Sequence, residues 1–334
     1  MDPITLEVIK NALSSIADEM ALVLMRSAYS PVVRDSMDYS TALCDRHGQV
    51  IAQGLTLAVQ LGAFPDAMQH LTQKYKGQMQ PGDIFIMNDP YGAGGQHLPD
   101  IYVIQPLFWE GEIEGYACTM AHHSDVGGIA PGSVAIHATD IYQEGLRLPM
   151  LKLYEAGKPN QTLFEIIEKN TRQPVQVLGD LRAQLAACAI AERGLTALLK
   201  RYRGKAVRPY MEAIMDQAER LMREFIRGIP DGEYRFTDWI DGLGETPEPL
   251  KIVVCVSVRD DEIEVDFTGT LGAGAGRHQL PDRHGAFLSV LRDPLRDQPR
   301  HPELRGLHAA GALRRRRKGR SSTPCCPLRA RRAA

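Results

Sequence analysis

The chain has 334 residues, enough for one large core or two ordinary ones, and its 44% hydrophobic and 24% charged residues are ordinary for a globular protein. No run of about 18 apolar residues occurs, which excludes a membrane-spanning helix, and the start Met1-Asp2-Pro3-Ile4 lacks the basic and apolar regions of a signal peptide. A cytoplasmic address is therefore expected, with no membrane partner. The net charge of −2 hides an asymmetry, because residues 271–334 hold 15 Lys/Arg against 4 Asp/Glu.

Asp2 and Pro3 open a helix whose apolar face is expected at Ile4, Val8, Leu13, Ile16, Met20 and Leu24. Tyr39–Ala52 reads as a hairpin turning at Asp45-Arg46-His47-Gly48, and a short helix is expected near Phe64–Tyr75. Ile84–Met87 is a buried strand by its apolar run. Ile101–Phe108 and Ile113–Met120 are strands joined by Trp109-Glu110-Gly111-Glu112. Polar, glycine-bearing loops over Asn88–Asp100 and His122–Ser133 lie at the strand ends, where a rigid scaffold aims loop side chains. Asp180–Arg201 and Ala206–Arg227 predict a helical hairpin around Gly204, so that Asp180, Arg182 and Gln184 read as a helix start with capping and ion-pairing roles. Tyr234–Ile240, Ile252–Val258 and Ile263–Phe267 alternate as strands within a β segment over 233–268. The order predicts an α+β fold, with mixed sheets and packed helices.

After Thr270 the texture changes. Sixty-four residues contain no isoleucine, one valine (Val290), one aromatic (Phe287) and the run Arg314-Arg315-Arg316-Arg317-Lys318. Such a segment cannot bury enough apolar surface to offset its ordering entropy, so 271–334 is expected to be a disordered, Arg-rich tail. A basic arm usually signals nucleic acid or membrane. Here a one-base frame slip explains it better: His278–Arg283 can be encoded so that the next frame reads Ile-Asn-Cys-Pro-Ile-Ala. No nucleic-acid partner is expected.

The densest chemistry is Asn88-Asp89-Pro90-Tyr91-Gly92-Ala93-Gly94-Gly95-Gln96-His97-Leu98-Pro99-Asp100, followed by Ala121-His122-His123-Ser124-Asp125. His97, His122 and His123 with Asp89, Asp100 and Asp125 can converge as mixed imidazole and carboxylate ligands, a set suited to Mn²⁺, Fe²⁺ or Zn²⁺ rather than Ca²⁺. The competing reading is that the histidines satisfy strand-end hydrogen bonds and the glycines only turn the chain. Ser124 beside His123 and Asp125 has the residue types of a triad, although sequence neighbours rarely assemble one. Asp125 and Glu144 remain as candidate catalytic carboxylates; a solvated loop position is the alternative for Glu144. None of the six cysteines forms a CxxC or a zinc-ligand spacing, and they read as buried or incidental thiols. No GxxxxGK[ST] occurs, so ATP, if used, belongs to another chain.

The succession Arg34–Ser40, Asp45–Gly48, Leu61–Pro65, Asn88–Asp100, Ala121–Gly128, Gln143–Gly145, Gly179–Gln184 and Asp266–Thr270 resembles the hydantoinase B/oxoprolinase family. The resemblance runs from Ile4 to about Thr270, which makes 1–270 the N-terminal part of that domain. It implies ATP-dependent chemistry on a carbonyl, either hydrolysis of cyclic amides or carboxylation of ketones. It also implies a hetero-oligomer with an actin-like hydantoinase A-type subunit that binds ATP, and a metal centre in this chain. The ligands it implies are His97, Asp100 and one of His122 or His123, with Asp89 nearby. Members of the family continue past Thr270 with text close to the shifted frame.

Overall fold

The computed structural model describes residues 1–54, 62–92, 94–135, 138, 140–241, 249–270 and 313–315. Helix α1 (Pro3–Ser27) starts where Asp2 accepts the Thr5 amide at 2.9 Å and Pro3 occupies the first turn, satisfying a donor the helix cannot. Its buried stripe is Ile9, Leu13, Ile16, Met20 and Leu24. Ile4 and Val8, expected on this face, are exposed: one turn before Leu13 the buried position is Ile9. A single turn, α2 (Pro31–Arg34), is capped by Ser30, whose Oγ accepts the Val33 amide.

Seven antiparallel strands form the central sheet in the order β2-β1-β5-β4-β3-β6-β7. They are β1 (Tyr39–Asp45), β2 (Val50–Gln53), β3 (Ile84–Met87), β4 (Asp100–Trp109), β5 (Glu112–His122), β6 (Leu151–Glu155) and β7 (Lys158–Pro159). Side chains alternate between two cores, as strand geometry requires. Ile101, Val103, Leu107, Ala117 and Ala121 pack with α1 and with α5 (Pro174–Arg201). Tyr102, Ile104, Tyr116, Cys118 and Met120 face the other way, onto α3 (Phe64–Lys74). The sheet is thus covered by helices on both faces, and its central strands are almost wholly buried.

The register of β4 and β5 changes within the hairpin. Trp109 pairs with Glu112 and Phe108 with Ile113, but Leu107 pairs with Gly115 and the offset persists to Asp100 with His122. Glu114 is the extra residue of this bulge. It is buried and accepts Arg208 Nε at 2.7 Å, so its charge is compensated where the strand bends.

Helix α4 (Gln161–Lys169) and strands β6 and β7 have no counterpart among the expected elements. Helix α5 begins at Pro174, so Asp180 and Gln184 sit inside it, fully buried, and not at a helix start. After α6 (Arg208–Arg227), strands β8 (Gly232–Ile240), β9 (Leu250–Arg259) and β10 (Glu262–Asp266) make a second sheet. The fold is α+β, as expected. β11 (Leu313–Arg315) pairs parallel with β10, which makes that sheet mixed. The disorder expected of the rest of 271–334 falls outside the described residues. Cys44, Cys118, Cys188 and Cys255 are buried free thiols, and Cys325 and Cys326 lie outside the described residues.

Candidate metal centre

Three neighbouring strands, β1, β5 and β4, end in one row. Asp100 pairs directly with His122, and the His122 amide donates to the carbonyl of Asp38 at 3.0 Å just before β1. Directly opposed residues share a face, so all three side chains stand on the α3 side of the sheet. His97 joins from the preceding loop through a tight turn in which the Asp100 amide donates to the His97 carbonyl at 3.1 Å.

That loop is shaped by Asn88. Its Nδ2 donates to the Leu98 and Leu146 carbonyls at 2.7 and 2.9 Å, and its Oδ1 accepts the Leu148 amide at 2.6 Å. Entry and exit of the loop are thereby tied to one buried amide. Gly95 is required by close approach: a Cβ there would stand 2.6 Å from the Asn88 carbonyl oxygen.

His97 Nε2 lies 2.8 Å from Asp100 Oδ1, His122 Nδ1 lies 3.1 Å from the same oxygen, and the two nitrogens are 3.1 Å apart. Asp38 Oδ2 is 4.0 Å from His122 Nδ1. Asp100 is almost completely buried, and burial pushes its carboxyl up. The hydrogen bonds from His122 and His97 outweigh that and hold it below the usual carboxylate range. Burial lowers the His97 imidazole, but the Asp100 hydrogen bond and the charges of Asp100, Asp38 and Glu144 raise it overall.

The donor set fits a divalent transition metal. A cation with bonds of about 2.1 Å at right angles holds adjacent ligands about 3.0 Å apart, close to every edge of this triangle. Protons fit less well: each nitrogen contributes one proton or one lone pair, so ordinary hydrogen bonds satisfy two edges of the three. One cation replaces all of them. Two imidazoles and one carboxylate are fewer groups than such a cation takes, and would leave room for water or substrate.

Among the described residues, this is the cluster whose ligand atoms lie within 4.8 Å of one another, and it holds His97, Asp100 and His122. The other sequence candidates stand elsewhere. His123 points to the α5 face, fully buried, with Nε2 against Gln184 Oε1 at 3.0 Å and Nδ1 without a partner. Burial lowers its imidazole, and the Gln184 hydrogen bond opposes that only in part. Asp89 takes a two-pronged contact from Arg147 at 2.8 and 3.0 Å. Asp125 accepts the amides of Gly127, Gly132 and Arg172 and the Arg172 guanidinium, which folds the loop after His123 around its carboxylate. A Ser124–His123–Asp125 triad does not assemble, because His123 and Asp125 are committed to these other groups. Glu144 follows the short turn Ile141–Gln143 and lies near enough for its charge to raise His97.

Sequence reasoning missed Asp38, Asn88 and Gln184 as parts of this site. Asp38 sits in the stretch that carried the family resemblance, two residues after a serine and one before β1, but nothing local marks it as facing His122. Met37, in the left-handed region at φ 54°, is the one local sign of constraint there.

The sequence matches the family model for hydantoinase B/oxoprolinase over residues 2–298. It is 34% identical over 279 residues to the B component of a putative D-/L-hydantoinase of Pseudomonas sp. (strain NS671), covering 81% of this chain and 47% of that protein. The crystal structure of the ATP-dependent caprolactamase from Pseudomonas jessenii superimposes with a TM-score of 0.85 at 30% identity, covering 96% of this chain and 54% of that one. A nucleotide-free acetone carboxylase shares the fold, with a TM-score of 0.79 at 18% identity over 89% of this chain and 41% of that one. The chain thus spans about half the length of the curated relatives it matches. No helix among the described residues is long and apolar enough to cross a membrane. Motif order, fold and the match over most of its length together place this chain in the hydantoinase B/oxoprolinase family.

Proposed function

We propose that this chain is the metal-bearing subunit of an ATP-dependent enzyme that hydrolyses the C–N bond of a cyclic amide of the hydantoin or 5-oxoproline type. A separate hydantoinase A-type, actin-like subunit uses the ATP. The observation that carries this reading is the closed triangle of His97, Asp100 and His122. Mn²⁺, Fe²⁺ or Zn²⁺ held there would supply a Lewis acid for the amide carbonyl. The chain's own residues do the rest. Asp38 extends the row as a further oxygen donor. Glu144, whose charge reaches His97, serves as the carboxylate that receives a proton from attacking water. Asp89 and Asp125 act through Arg147 and Arg172, holding the two loops in place around the ligands.

Hydrolysis is preferred to ketone carboxylation because the likeness to a caprolactamase includes sequence, whereas the likeness to acetone carboxylase is one of fold. The test is co-expression with a hydantoinase A-type subunit and measurement of ATP consumption with hydantoins, 5-oxoproline, and ketones plus bicarbonate. ATP use dependent on a cyclic amide is expected. ATP use seen with ketone and bicarbonate alone would transfer the protein to the carboxylases. A second reading, a shortened and inactive product of a slipped gene, is favoured by the abrupt change after Thr270. Resequencing around codon 271 decides it, and a frame-corrected gene gives the active comparison.

Metal loading should depend on pH with a definite sign. A cation must displace the proton that Asp100 stabilises on His97, and that imidazole is raised above its ordinary value. Affinity is therefore expected to climb by about tenfold per pH unit while His97 is protonated, and to level off above its raised pKa. Zinc titrations between mildly acidic and mildly basic pH check this. A Kd independent of pH across that window would show that no proton is displaced from His97.

A further inference from the structure

The ligands stand on the α3 face of the sheet, yet the groups that fix the spacing of their strands come through the opposite face, from one turn of α5. Gln184 is fully buried there. Its Nε2 donates to the Ile101 carbonyl at 2.9 Å and to Thr119 Oγ1 at 3.3 Å, while its Oε1 faces His123 Nε2 at 3.0 Å. Ile101 follows the ligand Asp100, and His123 follows the ligand His122. A single side chain therefore links the Ile101 backbone, next to one ligand, to the His123 imidazole, next to the other.

The orientation of the amide is determined by its partners. A carbonyl accepts only, so the nitrogen of Gln184 must face Ile101 and its oxygen must face His123. His123 consequently carries its proton on Nε2. One turn earlier, Asp180 Oδ1 accepts the amides of Tyr29 and Ser30 at 2.7 and 3.0 Å, anchoring the segment that leads through α2 to Asp38.

We propose that Gln184 is a positioning residue of the metal centre, acting through Ile101 and His123 to set the separation of Asp100 and His122. This rests on the reading of His97, Asp100 and His122 as metal ligands. A cation bound by three protein groups is sensitive to small changes in their spacing. Loss of the groups that orient ligands costs about 10–100-fold in metal affinity. Gln184→Met keeps length and apolar volume but breaks all three contacts. Gln184→Glu keeps an oxygen for His123 and loses the donor to Ile101.

The test uses the full chain and Co²⁺ alone, read by its visible absorption and by titration, with thermal melting recorded in parallel. Leu195→Ala is the control: it truncates the core on the same helix at the far end of β5, beside Gly115. Expected is a 10–100-fold weaker Co²⁺ affinity and an altered spectrum for Gln184→Met, with Gln184→Glu in between. Leu195→Ala should melt earlier but bind with unchanged affinity and spectrum. If Gln184→Met does not fold, Gln184→Glu carries the comparison. Wild-type affinity and spectrum in the Gln184 variants would overturn the proposal while leaving the metal centre intact. So would equal weakening by Leu195→Ala. Failure of the wild-type chain itself to bind Co²⁺ would remove both the metal centre and this role.

Discussion

Replacing His97 and Asp100 together by alanine is expected to abolish transition-metal binding while the chain still folds. Two of the three triangle vertices disappear, and the remaining His122 offers one nitrogen with Asp38 4.0 Å away. Single-ligand sites of that kind compete poorly with water, so the loss should exceed the roughly 10–100-fold typical of altering an outer orienting group. The readout need not involve turnover. A metal that binds only the folded chain stabilises it by about 2.7 kcal/mol at a hundred times its Kd. Wild-type protein should therefore melt several degrees higher with Zn²⁺ or Mn²⁺ than without, and the double variant should melt at one temperature regardless. Deleting Asp100 also removes a buried carboxylate along with one of the imidazoles that compensate it, so the fold has less to lose than from either change alone. An undiminished metal-dependent shift in the double variant would end the assignment of these residues.

The second large effect is expected at Asn88, which touches no ligand. Its side chain makes three hydrogen bonds to backbone groups of Leu98, Leu146 and Leu148, two of them buried and the one to Leu146 partly so, in the stretches that begin and end the site loops. Asn88→Ala leaves two carbonyls and one amide inside the protein without partners. Each such group costs about 1–3 kcal/mol, so a loss of roughly 3–5 kcal/mol is expected after partial relaxation. Asn88→Asp should fare no better. It keeps an acceptor for Leu148 but sets a carboxylate against two carbonyl oxygens. Urea unfolding measures the global loss, and hydrogen exchange of the 94–100 amides shows whether the loop opens first. A variant that keeps wild-type stability and loop protection would mean the loop is held by other contacts.

The fit between sequence and structure differs along the chain for identifiable reasons. Asp2, Pro3 and the stripe from Leu13 to Leu24 announce α1 because caps and periodicity are local. Strands β3, β4 and β5 were legible from their apolar runs, since central strands buried on both faces carry little else. The segment Leu151–Lys169 was not. Its edge strands are short and partly exposed, and α4 is nine residues long, so neither leaves a strong pattern. Asp180 and Gln184 mislead from sequence because a polar pair inside a helix reads as its start, when here both are buried and meet other segments.

The sequence alone determined which chemical groups are available: two histidine-bearing loops, their carboxylates, the glycines that let them turn, and a family resemblance that the whole match bears out. It did not determine which of those groups meet. The hairpin turn Trp109–Glu112 by itself would pair Asp100 with Ala121 and send His122 to the opposite face. The bulge at Glu114 shifts the register by one residue, and because strand side chains alternate, that single step brings His122 beside Asp100 and turns His123 to Gln184. This bulge is held by contacts distant in sequence, among them Arg208 on α6 and the pairing of Asp45 on β1 with Gly115. The choice between the two adjacent histidines was therefore made by tertiary structure.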